Sequence, residues 1–166
     1  MIKSSSRVRQ IMDWRAAFWA GIIAGAIYLV AQMALLAQIT GGSPWIVPRR
    51  IAAIVLGESV LPPPATFDLT IFLVSLLLHL FLSVIYTLIL AFIIHRWGLI
   101  VGIVGGALFG LALYVINYYT FSIFFPWFFP VRSWVDILSH MLFGAVAGGV
   151  YEALEVEVFV KENEVV

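Results

Sequence analysis

The chain has no cysteine. Disulfides, thiolate metal sites and haem attachment through Cys-x-x-Cys-His are therefore excluded. Charge is scarce too. Asp, Glu, Lys and Arg make up 11% of the residues, where a soluble domain carries about 25%. That is too little to cover a water-facing surface, so lipid is the expected solvent for most of the chain. Basic and acidic residues balance at nine each, and no nucleic-acid partner is expected. Histidine is limited to three residues.

What is present is apolar. Hydrophobic residues make up 63% of the sequence, and the mean hydropathy is +1.09. A crossing takes about 20 residues, so 166 residues allow four spans and leave no room for an extramembrane domain. The expected fold is all-α: a four-helix transmembrane bundle with spans at about 16–39, 69–94, 98–125 and 134–154. A basic N-terminal segment, 1–15, precedes the 16–154 membrane domain, and an acidic tail, 155–166, too short and charged to fold alone, follows it. The first apolar run reads as a retained span. It follows a polar, basic stretch and exceeds the 7–15-residue core typical of a signal peptide.

Thr40-Gly41-Gly42-Ser43-Pro44 stops the first span, and Pro62-Pro63-Pro64 precedes the second. Between them, 48–56 reads as a short interfacial helix, with Pro48 in its first turn and Gly57 at its C-terminal end. Its apolar side is expected to be Ile51, Ile54 and Val55, with Arg49 and Arg50 left polar. Lys3, Arg7, Arg9, Arg15, Arg96 and Lys161 fall on one side of the membrane, and Arg49, Arg50 and Arg132 on the other. The positive-inside rule then predicts cytoplasmic N- and C-termini and a bacterial inner-membrane location.

Three short echoes occur in the same order in the two halves. Gly21-Ile22-Ile23-Ala24-Gly25-Ala26 matches Gly102-Ile103-Val104-Gly105-Gly106-Ala107. Pro44-Trp45-Ile46-Val47-Pro48-Arg49 matches Pro126-Trp127-Phe128-Phe129-Pro130-Val131-Arg132. Leu78-His79-Leu80-Phe81-Leu82-Ser83 matches Ser139-His140-Met141-Leu142-Phe143-Gly144. They predict a parallel internal repeat of a two-helix unit, related by an axis along the membrane normal.

Residues four apart share a helical face. Gly98, Gly102, Gly106 and Gly110 form such a stripe, as do Gly21 with Gly25 and Gly144 with Gly148. Stripes of this kind let backbones approach closely and read as helix-packing faces, whether the partner helix is internal, a second copy or another protein. Ser75, His79, Ser83 and Thr87 form a polar stripe on the second span, and Asp136 and His140 begin another on the fourth. Polar groups in hydrocarbon must face protein or water. His79, His140, Asp136, Asn117 and Gln32, with Ser75 and Ser83 beside them, are expected to form one polar cluster in the outer half of the bilayer.

That cluster admits several readings. It is a hydrogen-bonded clasp, a proton or solute site, or a bis-His haem or metal site at His79 and His140 with Asp136 as a carboxylate ligand. Ser139 beside His140 is not a nucleophile–base pair, because adjacent helical residues point in different directions. The aromatic run from Tyr118 to Pro130 reads as an interfacial belt, with a quinone or lipid cleft as the alternative. Trp45, Trp127, Trp134 and Arg132 are the expected interface anchors.

The loop Pro48-Arg49-Arg50-Ile51-Ala52-Ala53-Ile54-Val55-Leu56-Gly57, the proline run after it, the central histidine of span two and His140-Met141-Leu142-Phe143-Gly144 resemble small four-helix bacterial inner-membrane proteins. Some of these carry a sodium/solute symporter label. The resemblance implies fold and location and no activity. The leading expectation is a non-enzymatic accessory or structural subunit, with no cofactor, that packs against lipid and against other transmembrane subunits or itself. A small transporter or channel is the alternative.

Overall fold

The computed structural model describes residues 8–161. In chain order these form strand β1 (Val8–Ile11), helices α1 (Trp14–Thr40), α2 (Ile46–Leu56), α3 (Leu69–Ile94), α4 (Leu99–Val115) and α5 (Trp134–Leu154), and strand β2 (Val158–Lys161). A π-helical turn, Ile116–Thr120, and a 3-10 turn, Phe121–Ile123, prolong α4, and a second 3-10 segment, Pro126–Val131, leads toward α5. Four helical stretches are long and apolar enough to cross a membrane: Trp14–Thr40, Leu69–Ile94, Leu99–Ile123 and Trp134–Leu154. The chain is a multi-pass membrane protein built as a four-helix bundle.

The span ends follow local chemistry. Asp13 caps α1, its Oδ1 accepting from the N–H groups of Arg15 and Ala16 at 2.9 and 3.0 Å, and Asp68 caps α3 by accepting from Ile71 N–H at 2.9 Å. At Asp13, desolvation is outweighed by the Ala16, Val156 and Arg15 N–H groups and the Arg15 charge, which hold the carboxyl below its ordinary range. Gly41 closes α1 in the left-handed conformation at φ 65°. Gly98 sits at φ 76°, ψ 175° between α3 and α4, a region open to glycine alone. A side chain there would touch nothing. Gly98 therefore makes the turn and is not part of the packing stripe expected of it.

The helices lie in the order α3, α1, α5, α4, each touching mainly its neighbours, and α3 hardly touches α4. Small residues set the close contacts. A Cβ on Gly106 would fall on the Gly144 carbonyl, and one on Gly148 on the Gly102 carbonyl. One on Gly110 would meet the His140 carbonyl. On the other side a Cβ on Gly21 would come within 2.8 Å of Val84 Cα, and one on Gly25 within 2.6 Å of Ser83 Oγ. The glycine faces are thus consumed inside the chain. Between them, Ala17, Ala20, Ala24, Leu90, Ala91, Ala147 and Tyr151, each at most 1% exposed, close one half of the bundle.

At that closed end β1 and β2 pair antiparallel, with Val8 opposite Lys161 and Ile11 opposite Val158. Of the tail, expected to stay unfolded by itself, residues 155–161 are described, and their strand β2 pairs with the segment before α1. Gln10 Nε2 donates to Glu155 Oε1 at 3.2 Å, Tyr151 donates to the same oxygen at 2.8 Å, and Val156 N–H donates to Asp13 Oδ2 at 3.3 Å. Lys3 and Arg7, counted for orientation, and residues 162–166 lie outside the described residues.

At the opposite end α2 lies against α3. Its buried face is Val47, Pro48, Ala52 and Ala53, whereas Val55, expected on the apolar side, is 63% exposed. Ile51, Ile54 and Arg50 face inward over the space between α3 and α4.

The glycine contacts give a paired test. Gly106→Ala places a methyl on the Gly144 carbonyl and should destabilise the bundle by about 1–3 kcal/mol. Gly105→Ala meets only side chains at 3.8 Å and beyond, and should be neutral or stabilising by up to about 1 kcal/mol. Unfolding in mixed micelles, followed by circular dichroism, measures both.

Candidate functional site

Because α3 and α4 diverge, the α2 end of the bundle holds a half-open cavity of about 340 Å3. Its walls are mostly apolar, with Leu78 and Leu82 from α3, Leu113 from α4, Phe143 from α5, and Phe121, Phe125 and Phe128 from the segment between α4 and α5. The polar residues Tyr28, Gln32, His79, Tyr86, Asn117, Tyr118, His140 and Arg50 also line it.

The deepest of the polar partners is Asp136, 1% exposed. It occupies the third position of α5, where Ser133 is the N-cap. Ser133 Oγ donates to Asp136 Oδ2 at 2.6 Å and accepts weakly from Asp136 N–H at 3.4 Å. Ser133 thus caps the helix and binds the Asp136 side chain with the same hydroxyl, and the positive end of the helix favours the carboxylate. Tyr118 Oη donates to Asp136 Oδ1 at 2.8 Å, and Gln32 Nε2 donates to the same oxygen. Three donors on three segments therefore hold one buried carboxylate without a cation. Because the Gln32 amide must turn its NH2 to Asp136, its carbonyl Oε1 is left buried with no partner among the described residues.

One helical turn on, His140 continues the network. Its Nδ1 lies 2.8 Å from the Asp136 backbone carbonyl. A carbonyl only accepts, so Nδ1 carries the proton and Nε2 is the acceptor. Asn117 Nδ2 donates to Nε2 at 3.4 Å, and Asn117 Oδ1 accepts from Tyr86 Oη at 3.3 Å. The same Nδ1–H also approaches Tyr28 Oη at 3.3 Å. The Tyr28 oxygen then acts as an acceptor, and its own hydrogen is free to donate. His79 stacks on Tyr28, with centroids 5.2 Å apart. It donates Nε2–H to the Gly25 carbonyl at 2.9 Å, and its Nδ1 has no protein partner among the described residues.

Most of the sequence-predicted cluster meets at this cavity. Gln32, His79, Asn117, Asp136 and His140 are joined directly or through Tyr28. Ser83 supports His79 by donating to its backbone carbonyl at 2.8 Å. Ser75 does not belong: it is fully buried, lacks a side-chain hydrogen-bond partner among the described residues and does not line the cavity. Both imidazoles pack against the Tyr28 ring, with centroids 5.2 and 5.1 Å away, and the Asp136 carboxylate, expected beside them as a ligand, points instead to Gln32, Tyr118 and Ser133. Among the described residues no group of three His, Asp or Glu side chains is gathered as a metal site.

The tyrosines Tyr28, Tyr86 and Tyr118 are the residues that sequence reasoning missed. Tyr28 is readable in retrospect, since it lies four residues before Gln32 and three after Gly25. Tyr118 was not, because its inward direction depends on the wider π turn, which brings the adjacent Asn117 and Tyr118 to the same cavity. The aromatic run is divided accordingly. Phe124 and Phe129 are exposed, whereas Phe121, Phe125 and Phe128 face the cavity. The expected anchors are divided too. Trp134 is exposed at 61%. Trp45 rests on Phe67 and Phe72. Trp127 donates Nε1–H to the Arg50 backbone carbonyl at 3.2 Å. Arg132 covers the rings of Tyr119 and Phe129.

Hydrogen bonds to a charged group contribute about 1.5–3 kcal/mol, and neutral ones about 0.5–1.5. Tyr118→Phe should therefore destabilise more than Tyr86→Phe, by about 1.5–3 against 0.5–1.5 kcal/mol. Equal losses in a denaturing-detergent titration would remove Asp136 from the centre of the network.

Compared with known proteins, the chain matches no family model, no curated protein and no solved structure. Its function is therefore read from the geometry of the cavity.

Proposed function

We propose that this chain is a membrane-embedded binding protein that takes an amphiphilic small molecule sideways from the bilayer. The carrying observation is the cleft itself: a half-open apolar space between α3 and α4 that ends on a polar network. Small-molecule sites have this composition, mostly apolar walls with a few placed polar groups, and volumes upward of about 300 Å3. A hydrocarbon chain suits the leucine and phenylalanine walls. The Tyr28 hydroxyl keeps its hydrogen free to donate to a head group.

A channel is less well supported. The alanine- and leucine-packed half leaves no path from the cavity to the ribbon end. The accessory-subunit reading rested on glycine faces free to meet another protein, and those faces are occupied within the chain. We propose binding without a catalytic step.

The finer architecture belongs to the same reading. Two parallel-repeat hairpins, α1 with α3 and α4 with α5, are supported by matched contacts. Gly25 meets Ser83 in one hairpin, and its counterpart Gly106 meets Gly144, the counterpart of Ser83, in the other. The inserted α2 would lie at the outer interface of a bacterial inner membrane, with the paired termini in the cytoplasm, as the basic residues favour.

The test is native mass spectrometry of protein extracted gently from its own membranes. The expected result is one small amphiphile per chain, lost in Leu82→Trp, which fills the cavity, and retained in Leu77→Trp, which faces outward at 70% exposure. Companion subunits with an empty cleft would restore the accessory reading.

A further inference from the structure

The two adjacent arginines of α2 differ in how they are satisfied. Arg49 is bound by protein: Nη1 donates to the Val60 carbonyl at 2.9 Å, and Nε and Nη2 donate to the Thr66 carbonyl at 3.3 and 3.2 Å. Arg50 is half-buried and lines the cavity. Only its backbone is engaged, by Trp127. Its guanidinium has no hydrogen-bond or ion-pair partner among the described residues. Guanidinium carries five donors in a planar fork and stays charged. Half-buried at the mouth of the cavity, it keeps these donors free for an anion.

Asp136 does not satisfy it. That carboxylate is occupied by Ser133, Tyr118 and Gln32, and no ion pair joins it to Arg50. Burial pushes the Arg50 guanidinium below its ordinary value, and the fields of Tyr118 and Asp136 oppose this only in part. Ile51 and Ile54 flank Arg50 on the same helix and line the same cavity. The site thus presents one unpaired cation at the α2 end of a space walled by leucine and phenylalanine.

Resting on the cleft reading above, we infer that the ligand is a single-chain amphiphile with an anionic head, a carboxylate or a phosphate, held by the Arg50 guanidinium while its hydrocarbon chain lies between α3 and α4. The planar fork matches both oxyanions bidentately. About 340 Å3 is near the lower end of small-molecule sites, which favours one chain over the two of a bilayer phospholipid.

The experiment uses the full chain in nanodiscs of phosphatidylcholine, with oleate, oleoyl-lysophosphatidate and oleyl alcohol as probes. Binding is measured by native mass spectrometry across a concentration series. Both anions should bind about tenfold more tightly than the alcohol, the worth of a charge-assisted hydrogen bond. The tighter of the two identifies the head as carboxylate or phosphate. Arg50→Gln should abolish the preference, and circular dichroism of the variant reports whether it is folded. Arg49→Gln should keep the preference. If Arg50→Gln does not fold, Arg50→Lys serves, with a preference reduced but present.

Equal binding of anions and alcohol, or a preference that survives Arg50→Gln, overturns the anionic head and leaves the cleft reading standing. If none of the three probes binds, or if Leu82→Trp binds them as well as the parent does, the cleft reading falls and this inference with it.

Discussion

The backbone contact between α4 and α5 is the constraint on which the rest depends. Gly106 on Gly144 and Gly102 on Gly148 bring the two helices so close that neither admits a methyl group. In lipid, where apolar surface gains nothing by meeting apolar surface, such close contact is a main source of attraction between helices. It commits α4 to the far side of α5, away from α3. The space between α3 and α4 at the α2 end is the geometric remainder, and aromatic rings from the chain after α4 only partly fill it.

The second organising element is a single carboxylate. Asp136 draws α1 through Gln32, the π turn through Tyr118 and its own cap through Ser133 to one point. A buried acceptor held this way fixes register, because moving any one segment leaves it short of a donor. His140, one turn away, inherits its tautomer from the Asp136 backbone carbonyl. It passes a defined polarity to Asn117 and, through it, to Tyr86. The polar end of the cavity is therefore preorganised.

Much of this could be read from residue spacing. Runs of apolar residues located the four spans, and four-residue spacing identified Gly21, Gly25, Gly102, Gly106, Gly110, Gly144 and Gly148 as close contacts. Gln32, His79, Asn117, Asp136 and His140 were recognisable because a polar residue in hydrocarbon demands a partner. Gly98 was misassigned, since spacing alone does not reveal a positive φ. Ser75 was misassigned because a hydroxyl can be buried without joining a network. The tyrosines escaped because an aromatic ring in an apolar helix carries no signal of where its hydroxyl points. The direction in which Arg50 faces depends on which side of α2 meets α3, a tertiary choice that local periodicity does not fix. The terminal ribbon was missed for a related reason. Its two strands are four residues each and far apart in sequence, so neither is recognisable without the other.

The bond from Trp127 to the Arg50 carbonyl joins chain that follows α4 to chain that follows α1. At the far end, β1 and β2 join the beginning of the first helix to the end of the last. The two hairpins are thus tied at both ends of the bundle, and the cleft between α3 and α4 is a slit in a frame fastened at its corners. Such ties oppose splaying at either end, and between them Leu78, Leu82 and Tyr86 of α3 and Leu113 of α4, with Asn117 beyond it, line the slit. On the proposed cleft reading, exchange through the slit would need side-chain rearrangement along its lips, and the hairpins would not have to come apart.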